Sequence, residues 1–295
     1  MQEQIKLAYI GANGDIDEWR RFGSELHGMQ AFMEGGNLRL RIDDKAYRFD
    51  ISPDGPPGCT HIGFEWETSE ALGRAIERVR NAGYDIAEDP GLAFQRQVGR
   101  LAHFIAPGGV RFELCTQLAV NAQPFVSPTG ARFLTGEYGL GHIGYYADDV
   151  DAVQTFFQDI MGMRHSDTFV SERFTMPFVR GTARHHLVAI VPSMFRSSQE
   201  SASSVLHHVY IEVDSITLVG QCWDKIQDGA APVLATLGQH INDPVISYYC
   251  VSPSSFGFEY GWQSLVIDDD NWTPLIWRGR NELWGHKLGH MLVDK

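Results

Sequence analysis

Three segments place histidine or glutamate inside otherwise apolar runs: LGHIGYYA (His142), HHVYIEV (His207, His208, Glu212) and FGFEYGW (Glu259). Side chains alternate across a strand. In HHVYIEV, Val209, Ile211 and Val213 form an apolar face, so His208, Tyr210 and Glu212 point the other way, and His208 is a better candidate ligand than His207. The same alternation sets His142 with Gly144 and Tyr146, and turns Glu259 away from Phe258 and Tyr260. Any one buried histidine is more often a core residue than a ligand. A glutamate on an apolar strand is rarer, because an unpaired buried carboxylate is costly. Two imidazoles and one carboxylate reaching one cavity would hold a divalent metal and leave positions open on one side, the arrangement of non-haem Fe(II) oxygenases.

Further polar groups lie nearby in sequence. LGQHINDPVISYYC offers His240 and Asp243, expected in a polar loop, and Tyr249 on the strand that follows. These could bring an imidazole, a carboxylate and a phenol to the metal, or could be a turn capped by aspartate. ARHHLVAIVP offers His185 and His186; both faces of that strand are apolar, so alternation does not choose between them, and a strand end near the surface is an equally good reading. The run Phe174-Thr175-Met176-Pro177-Phe178 could line an apolar pocket or be ordinary core.

An internal repeat supplies the elements that must position these groups. LAYIGANGDIDEWRRFGSELHGMQ (Leu7–Gln30) matches LGHIGYYADDVDAVQTFFQDIMGMR (Leu140–Arg164), each a strand leading through an acidic turn into an amphipathic helix closed by glycine, Gly28 or Gly162. THIGFEWETSEALGRAIERVRNAG (Thr60–Gly83) matches HHVYIEVDSITLVGQCWDKIQDG (His207–Gly229), and GGVRFELCT matches SSFGFEYGW. The chain is therefore expected to be an α+β protein of four βαβββ modules paired into two domains, residues 1–130 and 131–295, joined near the cluster of Pro124, Pro128 and Gly130. Positions matching His142, His208 and Glu259 in the first half carry Tyr9, His61 and Glu113. With tyrosine in place of the first histidine, that half is expected to hold no metal and to be structural.

Bulk properties narrow the class. The 295 residues are 43% hydrophobic and 12% aromatic, enough for a full core, and 21% are charged. A formal net charge of −13 disfavours a nucleic-acid partner, which needs a basic stripe. Cys59, Cys115, Cys222 and Cys250 form no CxxC pair, as fits a reducing compartment. The N-terminus shows no signal-peptide pattern, and no apolar stretch approaches the ~20 residues of a membrane span. A cytoplasmic protein without a membrane partner is expected.

Taken jointly, GLGHIG, ARHH, HHVYIEV, GQHINDPVISYY, GFEYGW and the closing LWGHK (Trp284–Lys287) resemble the type I extradiol dioxygenases of the vicinal oxygen chelate superfamily, a glyoxalase-like fold, in the branch acting on 2,3-dihydroxybiphenyl and other bicyclic catechols. The resemblance covers almost the whole chain. It implies His142, His208 and Glu259 as ligands of Fe(II), with Mn(II) also compatible. It implies His186 as an acid–base residue, His240 and Tyr249 as hydrogen-bonding partners of the substrate oxygens, and Asp243 as shaping the pocket. The implied substrates are O2 and a bicyclic or substituted catechol such as 2,3-dihydroxybiphenyl, or else 1,2-dihydroxynaphthalene or another polycyclic catechol. Ring opening would fall beside the diol. A homo-oligomer is the default. Pro244 departs from the pattern, in which histidine often follows the aspartate, and bears on the pocket rim. A glyoxalase-like metal isomerase and an aromatic-binding resistance protein are the rivals; neither calls for His186, His240 and Tyr249 together.

Overall fold

The computed structural model describes residues 3–196, 204–268 and 271–288. Module one runs β1 (Ile5–Asn13), α1 (Ile16–Trp19), β2 (Gln30–Glu34), β3 (Asn37–Arg41) and β4 (Phe49–Ser52). Module two runs β5 (Gly58–Trp66), α2 (Ser69–Asn81), β6 (Ala87–Glu88), α3 (Pro90–Arg96), β7 (Arg100–Ile105) and β8 (Arg111–Thr116). Module three comprises β9 (His142–Ala147), α4 (Val150–Thr155), β10 (Arg164–Val170), β11 (Thr175–Arg180) and β12 (Val188–Pro192). Module four comprises β13 (Leu206–Glu212), α5 (Ile216–Gln227), β14 (Val233–His240), β15 (Ile246–Val251) and β16 (Gly257–Trp262). A tail adds β17 (Leu275–Arg278) and β18 (Glu282–Trp284).

The expected module order is thus observed, and the strands form two mixed sheets. One is ordered β2-β3-β4-β1-β5-β8-β7-β6, the other β17-β10-β11-β12-β9-β13-β16-β15-β14-β18. In each, the opening strands of two modules pair antiparallel at the centre, β1 with β5 and β9 with β13. Side-chain caps start the helices: Asp15 and Asp149 accept backbone N–H groups at the same point of modules one and three. Both helices then widen into π turns, Arg20–Leu26 and Phe156–Ile160. Gly28 and Gly162 follow with φ of 80° and 84°, the left-handed conformation that suits glycine after a helix.

Register turns the repeat into residue equivalences. Tyr9 lies across from Gly63, and His142 from Tyr210. Gly63 lies beside Glu113, and Tyr210 beside Glu259. Ile10 pairs with Phe49 and Ile143 with Val188, so Tyr47 corresponds to His186 and Ala46 to His185.

The two halves share one hydrophobic core, from Ile5, Trp19 and Phe112 in the first to Tyr145, Val209 and Phe258 in the second. Trp19 packs on Phe256 at 6.0 Å, and its indole N–H donates to Ser254 Oγ at 2.8 Å. Ser254 Oγ in turn donates to the Asn13 carbonyl. The turn that leads into β16 is therefore pinned by the first module. Among the described residues, no helix is long and apolar enough to cross a membrane.

Candidate active site

Adjacent strands β9, β13 and β16 bring three side chains to one point. His142 and Glu259 flank Tyr210 on either side, and His208 precedes Tyr210 by two residues on the same face. His142 Nε2 lies 3.2 Å from His208 Nε2 and 3.1 Å from Glu259 Oε2, and His208 Nε2 lies 3.4 Å from that oxygen. All three side chains are buried. Gly144, opposite His208, makes the convergence possible: a Cβ there would sit 2.4 Å from His208 Nδ1.

Neighbours orient each group. Ser247 Oγ donates to Glu259 Oε1 at 2.6 Å, leaving Oε2 toward the imidazoles. His208 Nδ1 meets His207 Nδ1. His142 is held by stacking: its ring lies 4.4 Å from Tyr210 at 18° and 3.9 Å from His186. His142 Nδ1 has no hydrogen-bond partner.

Burial dominates the electrostatics. It pushes the Glu259 carboxyl up to about 8, although Ser247 and Tyr249 pull the other way. It holds His142 and His208 well below the usual imidazole range, with the neighbouring histidines adding to the effect. Two neutral imidazoles and a carboxylate short of a counter-charge are a poor arrangement for protons alone and a good one for a divalent cation. The donor set fits a metal ion.

The site floors a cavity of about 810 Å³. Phe174, Met176 and Phe178 line it from β11 and the turn before it; the alternation leaves Thr175 exposed and turns Pro177 away. Ala189 and Val191 extend this apolar wall, and His186, His240, Asp243 and Tyr249 stand on the polar one. His240 Nε2 and the Tyr249 hydroxyl are hydrogen-bonded at 2.8 Å. His186 Nδ1 lies 3.4 Å from Asp243 Oδ2, and Asp243 Oδ1 accepts the Leu265 N–H. Burial lowers His186 to about 4 against the opposing pull of Asp243.

Three readings of the sequence change. His240 is the last residue of β14, not part of a loop, because the tail strand β18 pairs along that edge, Gln239 with Trp284 and His240 with Glu282. His185 and His186 are buried at 0% and 5% exposure rather than at the surface, since β11 and the tail cover the approach to β12. Pro244 does not line the cavity, although Asp243 and Val245 on either side do. Sequence reasoning missed His286, which stacks on His240 at 4.3 Å; LWGHK was visible, but nothing local shows that it folds back onto β14. It also missed Asp167, whose carboxylate meets His185.

Residues 139–260 match the model of the Glyoxalase/Bleomycin resistance protein/Dioxygenase superfamily. A biphenyl-2,3-diol 1,2-dioxygenase of Paraburkholderia xenovorans is 30% identical over 292 residues, covering 95% of this chain and 94% of the relative. An iron-dependent extradiol dioxygenase of Rhodococcus jostii is 30% identical over 298 residues, covering 95% and 96%. Among solved structures, a halotolerant catechol dioxygenase superposes with a TM-score of 0.86 at 31% identity, covering 97% of this chain and 95% of that one. The two-sheet architecture, the match over nearly the full length and the convergence at the centre of the second sheet agree: the chain belongs to the extradiol dioxygenases of the Glyoxalase/Bleomycin resistance protein/Dioxygenase superfamily.

Proposed function

We propose that this extradiol dioxygenase opens a bicyclic catechol such as 2,3-dihydroxybiphenyl, with O2 as co-substrate and Fe(II) held by His142, His208 and Glu259. The convergence of those three donors within 3.4 Å at the floor of the cavity carries the reading. The relatives named for biphenyl-2,3-diol and for iron support it. Bound there, iron(II) supplies Lewis acidity toward adjacent catechol oxygens and the one-electron chemistry that O2 requires.

The chain's own groups do the rest. Ser247 and His207 keep Glu259 and His208 aimed at the shared point. The hydrogen-bonded pair of His240 and Tyr249 receives the substrate oxygens. His186 has Nδ1 on the Asp243 side, which leaves Nε2 as the nitrogen that accepts a catechol proton. Asp243 then steadies the imidazolium. Phe174, Met176 and Phe178 pack against the second ring and keep water out, in a cavity whose volume lies within the range of small-ligand pockets. Residues 1–130 and 131–295 are taken as the two domains, within a cytoplasmic homo-oligomer; the four unpaired cysteines fit a reducing compartment.

Anaerobic loading with Fe(II), followed by O2 and 2,3-dihydroxybiphenyl, is expected to consume O2 one-to-one with catechol and give the yellow ring-opened product. A protein that binds one iron per chain yet takes up no O2 with any catechol would refute the reading.

A further inference from the structure

Behind His186 lies a couple that the reaction above does not use. His185 and Asp167 are fully buried, and His185 Nε2 lies 2.9 Å from Asp167 Oδ2. Two other donors hold the Asp167 carboxylate in place: the Leu275 backbone N–H on Oδ1 at 2.6 Å and the Trp277 indole N–H on Oδ2 at 2.9 Å. On its other side, His185 Nδ1 lies 3.1 Å from His186 Nδ1.

We propose that Asp167 and His185 form a positioning couple that fixes the His186 proton on Nδ1 and turns its bare Nε2 to the substrate. The proposal rests on reading His186 as the proton acceptor. A carboxylate only accepts hydrogen bonds, so His185 Nε2–H donates to Asp167. A ring with its one proton on Nε2 has a bare Nδ1, which accepts from His186 Nδ1–H. Asp243 Oδ2, a buried acceptor with no hydrogen-bond partner, lies 3.4 Å from the same nitrogen, and its charge favours a proton there. In the transfer, the catechol O–H bond breaks, its electron pair stays on oxygen, and the proton bonds to Nε2. No electron leaves the substrate in this step.

The other half of the molecule gives an independent reason to read the couple as built for this purpose. Ala46 and Tyr47 stand where His185 and His186 stand here. The β2–β3 ladder runs without a register shift, whereas β10–β11 shifts between His165 and Asp167. The extra residue, Ser166, is a bulge that re-aims the side chain after it, and bulges recur beside active sites. Among the described residues, strand β17, which carries both additional donors to Asp167, has no counterpart in the first sheet. Among the described residues, bulge, histidine and tail strand occur together only in the half with the convergent donors.

Nitrogen-15 NMR of histidine-labelled full-length protein reads the tautomers directly. Wild type is expected to show His186 protonated on Nδ1 alone. His185→Phe, which keeps a ring in place, is expected to mix the two His186 tautomers and lower kcat by about 10- to 100-fold, with KM within about threefold and iron content unchanged. Asp167→Asn is expected to act in the same direction. A wild-type His186 carrying its proton on Nε2 overturns the proposal without any variant. So does a kcat within twofold of wild type in both variants, a kcat loss matched by lost iron, or a second metal equivalent bound at His185, His186 and Asp243. The tautomer is read without turnover: a wild type that cleaves no catechol sinks the functional reading, while the resonances still decide the couple.

Discussion

The two halves place equivalent residues at the centres of two sheets and use them differently. In the second, His142, His208 and Glu259 converge with no basic side chain between them. In the first, the Tyr9 hydroxyl donates to Glu113 at 2.8 Å, and the Arg96 guanidinium reaches Glu113 at 2.8 Å and Asp50 at 3.2 Å. Arg111 adds a third contact at 2.9 Å. The first half thus brings its own cation, on α3, where the second leaves room for a metal. Gly11 still cradles His61 as Gly144 cradles His208; a Cβ at Gly11 would fall 1.8 Å from the His61 ring. Tyr47 replaces His186, and the Arg39 guanidinium lies 4.2 Å over its ring. A shared backbone fixes where the donors point; the first half sets arginines among them, and the second leaves a place for a cation.

The largest expected contrast is between equivalent histidines. His208→Ala should leave almost no iron by metal analysis and no ring cleavage, whereas His61→Ala should keep both; iron retained in the former would break the assignment. Arg96→Met removes the cation that Glu113 and Asp50 share, leaving Glu113 to Arg111 and Tyr9 and Asp50 to Arg39, and should cost about 1–3 kcal/mol in urea unfolding with iron content unchanged. His186→Phe should retain iron and lower kcat about 100-fold or more, and unchanged turnover would remove its role as proton acceptor. For Tyr249→Phe, a loss of about tenfold in kcat/KM is expected, with normal metal content. The smallest effect is in pH dependence. Burial works to raise the Glu113 carboxyl, but His61, Arg96 and Arg111 outweigh it and hold it at about 2, below its ordinary 4.5. Its contribution to stability is therefore complete above about pH 4.5 and lost as pH falls from there through 2. Wild-type unfolding free energy should slope downward across that window, and a Glu113→Gln chain should show a shallower slope.

Much of this was legible in the sequence. The repeat carried the module order, and strand alternation placed His208 and Glu259 on the side of His142, but it did not separate His207, which lines the same cavity because the β9–β13 ladder shifts between Leu206 and His208. Alternation fails where a ladder slips. The bulge at Ser166 hid Asp167, since a register shift reverses which face a residue occupies. The β14–β18 pairing hid the strand character of His240 and the stack of His286, because it joins segments more than 40 residues apart through the tail. Arg96 was unreadable for a related reason: an arginine at a helix end is ordinarily a solvated group, and only the tertiary path of α3 brings it to Glu113.

The pin between the first module and the turn before β16 has a thermodynamic consequence. Trp19, through Ser254 and Phe256, ties the half without a candidate metal to the strand that bears Glu259. One core runs through both sheets, so unfolding either half would expose apolar surface of the other. Heating should melt them in a single cooperative transition, whose midpoint climbs as metal is added, because a cation that binds only the native state stabilises by mass action everything coupled to it. Through Trp19, the first half would share in the stability conferred by an ion bound in the second.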